Sequence, residues 1–244
     1  MFALLKKEIS SFFSSVTGYL VISVFLLTTG LFLWVIPGEF NIPFGGYSTL
    51  EPLFYLAPWI YLFLVPAVTM RLFADEKKSG TLELLLVRPL STYQIIFAKY
   101  LAAVIVISLS LLPTFLYFYS VYQLGHPLGN IDTGGTWGSY IGLFFLAAVY
   151  AAIGIFASSV TDNQVIAFIL AIILSFFFYT GFTSIASIPA LHGIQNTIIY
   201  LGIDEHYSSI SRGVVDSRDI IYFGSVIAFF IIITKTVLDS RKWE

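Results

Sequence analysis

Residues 16–36 read VTGYLVISVFLLTTGLFLWVI and contain no charged side chain. A helix rises about 1.5 Å per residue, so this run matches the roughly 30 Å hydrocarbon core of a bilayer. In the whole chain, 58% of the residues are hydrophobic and 11% are charged. Soluble domains carry roughly 25% charged residues. This segment and the composition therefore predict an integral membrane protein of the all-α class.

Five further apolar segments are long enough to cross a bilayer. We expect the spans of a single transmembrane domain at about residues 16–36, 51–70, 93–122, 139–160, 164–183 and 220–238. Pro58 and Pro66 predict a kink in the second span, because proline removes a hydrogen bond from the helical backbone. Residues 123–138 are rich in Gly and other turn-forming residues, which predicts a loop. The predicted fold is a polytopic membrane protein with six transmembrane helices.

The segment before the first span, residues 2–15, alternates apolar and polar side chains with helical periodicity. One face carries Phe2, Leu5, Ile9, Phe12, Phe13 and Val16, and the other carries Lys6, Lys7, Ser10 and Ser14. Such a pattern predicts an amphipathic helix that lies in the membrane interface. The alternative is a simple cytoplasmic extension of the first span.

Residues 163–203 contain no charged side chain. This uncharged run is too long for one crossing and marginal for two. Pro189 and Gly193 interrupt the run. We expect one full span followed by a partly re-entrant outer segment over residues 184–219. Irregular backbone at membrane depth is tolerated where it packs within protein or lines a cavity. The alternative, two full crossings, would place the C-terminus on the outer side.

The distribution of cations predicts the orientation. Six crossings place ten of the twelve Lys and Arg residues on one side: Lys6, Lys7, Arg71, Lys77, Lys78, Arg88, Lys99, Lys235, Arg241 and Lys242. Arg212 and Arg218 fall on the other side. Cytoplasmic flanks of membrane spans carry the excess of Lys and Arg. We therefore expect both termini and the loop at residues 71–92 to be cytoplasmic.

This loop contains the signals for a short, sharply bounded helix. Gly80 can serve as its N-cap, with Glu83 at the third helical position, and Pro89 stops it. Ser91 and Gln94 form a capping-box pattern that starts the third span. The apolar side of the short helix is formed by Leu82, Leu85 and Leu86, and Leu84 widens it. A short helix joined to two spans can transmit a push from a cytoplasmic partner, although it can equally be a loop that only completes the topology.

Three blocks of sequence in and after this loop carry a resemblance. They are Glu76-Lys77-Lys78-x-Gly80-Thr81-Leu82-Glu83-x-Leu85, Pro89-Leu90-Ser91 and Ile95-Ile96-x-Ala98-Lys99. Together they resemble the cytoplasmic-loop signature of ABC-2 type transporter permeases. The family more often has Gly where this chain has Ala98, a mild departure. Residues 205–219 resemble the branch of the family that includes gliding-motility-associated permeases.

The resemblance implies the transmembrane permease subunit of an ATP-driven exporter in a bacterial inner (plasma) membrane. It also implies a separate cytoplasmic ATPase subunit that binds the ATP, and a second permease, either a further copy or a related chain. The sequence contains no G-x-x-x-x-G-K-[ST] phosphate loop, so we expect no enzymatic activity and no cofactor in this chain. We expect the ATPase-coupling residues to be Glu76, Gly80, Thr81, Leu82, Glu83 and Leu85.

Other function classes have weaker support. A non-transporting scaffold of a motility or secretion machine stays open. A secondary carrier is disfavoured, because no span has an ionisable residue near its centre. We expect no nucleic-acid binding, because the sequence has no clustered basic face with interleaved aromatic residues. The chain has no cysteine, and the segment Asp204-Glu205-His206 lacks the i, i+4 spacing of a helical metal site. We interpret this segment as a solvated outer turn and predict no metal site.

Overall fold

The computed structural model describes residues 1–86 and 89–240, and no β-strand occurs in this part of the chain. Six helical stretches within it are long and apolar enough to cross a membrane. They are Val16–Val35, Glu51–Lys78, Thr92–Leu124, Thr133–Val160, Gln164–Ala186 and Ser217–Ser240. The predicted all-α polytopic fold is confirmed. Arg88, Arg241 and Lys242, which we used for the orientation, lie outside the described residues.

The helices of the first half are α1 (Phe2–Ser14), α2 (Val16–Gly30), α3 (Ile42–Gly45), α4 (Glu51–Thr69), α5 (Arg71–Lys78), α6 (Thr81–Leu86) and α7 (Thr92–Leu111). Those of the second half are α8 (Phe115–Leu124), α9 (Thr133–Val160), α10 (Gln164–Phe176), α11 (Phe182–Ala186), α12 (Gln195–Ile199), α13 (Ile203–Ser211) and α14 (Ser217–Ser240). Single π-helical turns extend α2 and α10, at Leu31–Val35 and Phe177–Gly181. A 3₁₀ turn at Leu112–Thr114 contains Pro113 and joins α7 to α8.

Helix α9 is the most buried span and packs against α4, α7, α10, α13 and α14. Its small residues allow this close approach. At Gly142 an added Cβ would press on the ring of Tyr207, and at Gly154 it would overlap the side chain of Thr69. Small residues let membrane helices approach closely, and the structure uses those of α9 in this way.

The second span continues beyond its predicted end. Residues 71–78, which we placed in a loop, form α5 directly after a break at Met70. The side chain of Ser158 on α9 bonds to the backbone at this break. Its Oγ accepts hydrogen bonds from the backbone N–H groups of Phe73 (2.9 Å) and Ala74 (3.0 Å) and donates to the Met70 carbonyl (2.8 Å). A side chain inserted into the helical ladder is an established cause of such an interruption.

Helix α9 begins at Thr133, so the predicted loop over residues 123–138 ends earlier than expected. Asp132 caps the helix by accepting a hydrogen bond from the Gly135 N–H at 3.0 Å. The glycines that suggested a turn have a packing role instead. An added Cβ at Gly138 would strike the backbone of Ile210 and Gly213. The local cap at Asp132 and the tertiary contact at Gly138 therefore both favour a helix over the predicted loop.

Residues 184–219 hold the end of α11, a 3₁₀ turn at Pro189–Ile194, and helices α12 and α13. Between residues 187 and 216 the described chain has no helix of span length. The alternative of two full crossings is therefore not observed. Helix α13 packs on α9, and the Tyr207 hydroxyl donates to the Phe54 carbonyl on α4 at 2.7 Å. This packing places α13 at the end of the bundle where α4 begins.

Candidate functional site

Lys99 lies in the second turn of α7, and only 1% of its side chain is exposed. Its Nζ is 2.8 Å from Oε1 of Glu76 on α5 and 3.1 Å from Oε1 of Glu8 on α1. A buried ammonium requires such partners, because transfer of a single ion out of water costs roughly several kcal/mol. One lysine therefore joins three helices at one end of the bundle, which we call the Lys99 end.

Two neighbours complete this ion cluster. The ring of Phe73 has its centroid 5.3 Å from the Lys99 Nζ, within cation–π range. Lys7, whose side chain is 64% exposed, places its Nζ 3.5 Å from Glu8 and 3.9 Å from Glu76. The second oxygen of Glu76, Oε2, is buried and has no hydrogen-bond partner among the described residues. The cluster thus has one unfilled acceptor beside a cleft of about 170 Å³.

Arg71, at the start of α5, connects the cluster to the junction between α1 and α2. Its guanidinium donates to Thr17 Oγ1 at 2.8 Å and to Ser15 Oγ at 3.4 Å. The same group lies 4.8 Å from the centroid of the Phe12 ring. These contacts fix the point where α1 turns into the first span.

Helix α5 also contacts the opposite side of the bundle. The Gln164 side-chain amide donates to Asp75 Oδ1, and the Lys77 ammonium donates to the Ser159 carbonyl. Both partners flank the short turn between α9 and α10. Helix α5 is therefore bonded to α1, α7, α9 and α10. A shift of α5 would change its contacts with all four helices.

The predicted coupling residues divide into two groups. Glu76 belongs to the ion cluster and faces inward. Leu82 and Leu85 of α6 are buried, whereas Thr81 and Glu83 are exposed. Leu84 is 66% exposed and does not widen the buried face as predicted. Of Leu86 the structure describes the backbone only.

Gly80 has a backbone φ of 68°, in the left-handed region that favours glycine. It follows the last turn of α5, and its N–H donates to the Lys77 carbonyl at 3.1 Å. Gly80 precedes Thr81, the first residue of α6, as an N-cap would, and its conformation also ends α5. The predicted capping box at Ser91 and Gln94 is confirmed, with reciprocal bonds of 3.3 and 3.1 Å.

The sequence interpretation missed Glu8 and the role of Lys99. The buried face of α1 is Leu4, Glu8 and Phe12, whereas Phe2, which we placed on the apolar face, is 80% exposed. Glu8 stands at i, i+4 spacing from two buried apolar residues, and Lys99 stands within an apolar helix. A carboxylate and an ammonium on apolar faces were the signal, since a buried charge needs a partner.

The opposite end of the bundle corrects the interpretation of His206. The residue is buried, not part of a solvated turn: its Nδ1 is 2.7 Å from Asp219 Oδ1, and its Nε2 is 2.9 Å from the Tyr200 carbonyl. The imidazole also stacks on Tyr222, with centroids 3.8 Å apart. These contacts hold α13 against α14. In the described residues no group of three His, Asp or Glu side chains forms a metal site.

One known family model matches almost the whole of this chain. The family model described as "ABC-2 family transporter protein" matches residues 3–238, which include all six spans but for the last two residues of α14, and the ion cluster. No curated protein matches the chain significantly. The resemblance of residues 76–99 to permeases of this family is thereby confirmed at the level of the family. The chain belongs to the ABC-2 family of transporter proteins and is a multi-pass membrane permease.

Proposed function

We propose that this chain is the transmembrane subunit of an ATP-driven exporter and that α6 receives the movement of a separate ATPase subunit. The observation that carries the proposal is the Lys99 ammonium, which is bonded to carboxylates of both α1 and α5. The family match supports a transporter permease, and the sequence contains no phosphate loop of its own.

Helix α6 has the features of a docking element. Its polar side, with Thr81 and Glu83, is open to solvent, and Leu82 and Leu85 fasten its other side to the bundle. A cleft of about 340 Å³ separates α6 from Leu4 on α1. A partner that presses on α6 would act on α5 through the single turn at Gly80.

The ion cluster would carry that displacement further. Glu76 on α5, Lys99 on α7 and Glu8 on α1 lie within one hydrogen-bonded group. Separating them would expose buried charges to an apolar surrounding, which is costly. We therefore propose that α1, α5 and the start of α7 move as one unit when the ATPase changes state.

The proposed orientation places the Lys99 end in the cytoplasm of a bacterium, with the chain in the inner membrane. The excess of Lys and Arg at this end supports it. In this orientation α1 lies along the inner interface, and residues 184–219 form an outer, partly re-entrant segment. Six spans form half of the usual assembly of the family, so a second permease would complete the translocation unit. Residues 205–219 support a relation to the gliding-motility-associated permease GldF.

Purification of the tagged chain from its native membrane, with identification of bound proteins, tests this function. We expect a stoichiometric ATPase with a phosphate loop, and ATP hydrolysis by the complex but not by the chain alone. ATP hydrolysis by the chain alone would contradict the proposal. A complex that binds the chain without any ATPase would instead favour a scaffold.

A further inference from the structure

A cleft of about 380 Å³ opens at the bundle end opposite to Lys99. Helix α4, the π-helical turn after α10 and helix α13 form its walls. The side chains that matter for its chemistry are Glu51, Tyr55, Tyr179, Asp204, Tyr207 and Arg212. The cleft therefore combines three tyrosines with two carboxylates and one guanidinium.

Each tyrosine of the cleft wall has a contact with a neighbouring residue. Tyr55 stacks on Phe40 with ring centroids 5.6 Å apart. Tyr179 meets the Trp59 ring edge-to-face at 5.7 Å. The Tyr207 hydroxyl is engaged by the backbone of α4. Because Tyr179 and Tyr207 are buried and restrained, a ligand that packs against them has less side-chain entropy to remove.

Asp204 is a carboxylate of this cleft that has a hydrogen bond from Tyr179 but no cationic partner among the described residues. It is half-buried near the N-terminus of α13, and the described residues place no Lys, Arg or His nitrogen within 4.0 Å of its carboxylate. Arg212 lines the same cleft without forming that pair. Burial, and then repulsion from Glu205, raise the pKa of Asp204 above its ordinary value, while the hydrogen bond from Tyr179 lowers it. A bound cation would remove this penalty.

A polar group behind the wall of the cleft has no hydrogen-bond partner among the described residues. Tyr150 is completely buried, and its ring contacts that of Tyr179 with centroids 6.3 Å apart. The polar group is the hydroxyl of this tyrosine. In the described part of the chain, a buried polar group without a partner therefore lies behind the Tyr179 wall.

The surroundings of the cleft are acidic as well. An adjoining cleft of about 520 Å³ shares Glu51 and Tyr55 and adds Glu39 and Tyr47. Across the two clefts, three carboxylates accompany the single guanidinium of Arg212. Clefts lined by one sign of charge raise the local concentration of the opposite ion. Anionic ligands are disfavoured by this lining.

We propose that this cleft binds organic cations with a quaternary or protonated amine, with Asp204 as counter-charge and Tyr55, Tyr179 and Tyr207 as aromatic walls. Ammonium groups bind between aromatic faces because the ring quadrupoles attract the charge. The unpaired carboxylate beside those rings supplies the second half of such a site. The proposal goes beyond the proposed function, because binding here needs neither the ATPase nor transport.

The test is calorimetric titration of benzyltrimethylammonium into the purified chain in maltoside micelles. We expect saturable binding, with benzyl alcohol, which has the ring but no charge, at least about tenfold weaker. Asp204→Asn should weaken binding about tenfold, and Tyr179→Leu should weaken it about threefold or more. Glu205→Gln is the matched control, since it removes the adjacent carboxylate, which does not line the cleft, and it should stay within about threefold.

Folding of each variant is checked by size-exclusion profile and near-UV circular dichroism. If Asp204→Asn does not fold, Tyr55→Leu takes its place and must weaken binding by about the same factor as Tyr179→Leu. Equal binding by Asp204→Asn and the wild type overturns the proposal, as does the absence of saturable binding. Benzyl alcohol as tight as the cation also overturns it and identifies a site for neutral ligands. Each result is obtained without an ATPase, so it leaves the proposed function untouched.

Discussion

The Nζ of Lys99 lies 2.8 Å from the Oε1 of Glu76, although the two residues are 23 positions apart and belong to different helices. The same nitrogen reaches Glu8, which is 91 positions away. An ammonium with 1% exposure thus holds together the N-terminal helix and the helix that leads into the loop. Because α6 follows α5 after a single turn, this ion cluster is the structural neighbour of the proposed docking element.

Lys99→Met should destabilise the protein strongly. The substitution leaves two carboxylates in a mostly buried site without their shared cation, and loss of one partner of a buried pair costs about 3–5 kcal/mol. Thermal unfolding of the purified protein in detergent measures the effect. Lys7→Met is the control, because that ammonium is 64% exposed and should contribute less than about 1 kcal/mol. Adding Glu8→Gln and Glu76→Gln to Lys99→Met should restore part of the loss, and a Lys99→Met variant as stable as the wild type would contradict the cluster.

Glu83 separates a capping role from a docking role. It is exposed at the third position of α6, so Glu83→Ala should cost about 1 kcal/mol or less of stability and leave the chain abundant in the membrane. We expect it to uncouple ATP hydrolysis from transport or to weaken ATPase binding. Glu83→Gln keeps the geometry without the charge. Full function of Glu83→Gln together with loss of function in Glu83→Ala identifies a capping role. Loss of function in both variants identifies a charge contact with the ATPase. Normal function of both variants rejects Glu83 as a coupling residue.

Ser158→Ala tests the interruption between α4 and α5. Removal of the hydroxyl leaves two buried backbone N–H groups and the Met70 carbonyl without their partner. Each unsatisfied buried group costs about 1–3 kcal/mol, so the melting temperature should fall clearly. Ser184→Ala, which removes an exposed hydroxyl bonded to its own helix, is the matched control and should change stability by less than about 0.5 kcal/mol. Equal melting of the two variants would show that Ser158 does not hold the break.

The orientation is testable because the chain contains no cysteine. Single cysteines at Thr161 and near the C-terminus should be protected from a membrane-impermeant maleimide in intact cells. Cysteines at Tyr47, Asn130 and Ser208, all of which are exposed, should react from outside. The physical reason is the excess of cations at the Lys99 end. Labelling of the C-terminal cysteine from outside would reverse the proposed orientation of α14.

The number and approximate positions of the membrane helices followed from the sequence alone, because hydropathy is a local property and a bilayer tolerates only internally bonded backbone. The capping box at Ser91 and Gln94 is equally local, since both bonds close within one turn. Local sequence signals mispredicted the helix boundaries at two places where residues distant in the chain make contacts. Ser158 bonds to the backbone at the break between α4 and α5, and Gly138 within α9 packs against Ile210 and Gly213.

The ion cluster and the Asp204 cleft were decided by tertiary structure. Glu76, Gly80 and the α6 residues could be selected from the loop pattern, but nothing in that pattern paired Glu8 with Lys99, because opposite charges interact only after packing has brought them within a few ångströms. Asp204 was interpreted as part of a solvated turn, and α13 became a wall only by packing on α9 and bonding to α4. The sequence by itself determined which segments enter the membrane, through apolar length. Helix packing alone decided which charges meet and which cleft forms between them, because both depend on contacts between residues far apart in the chain.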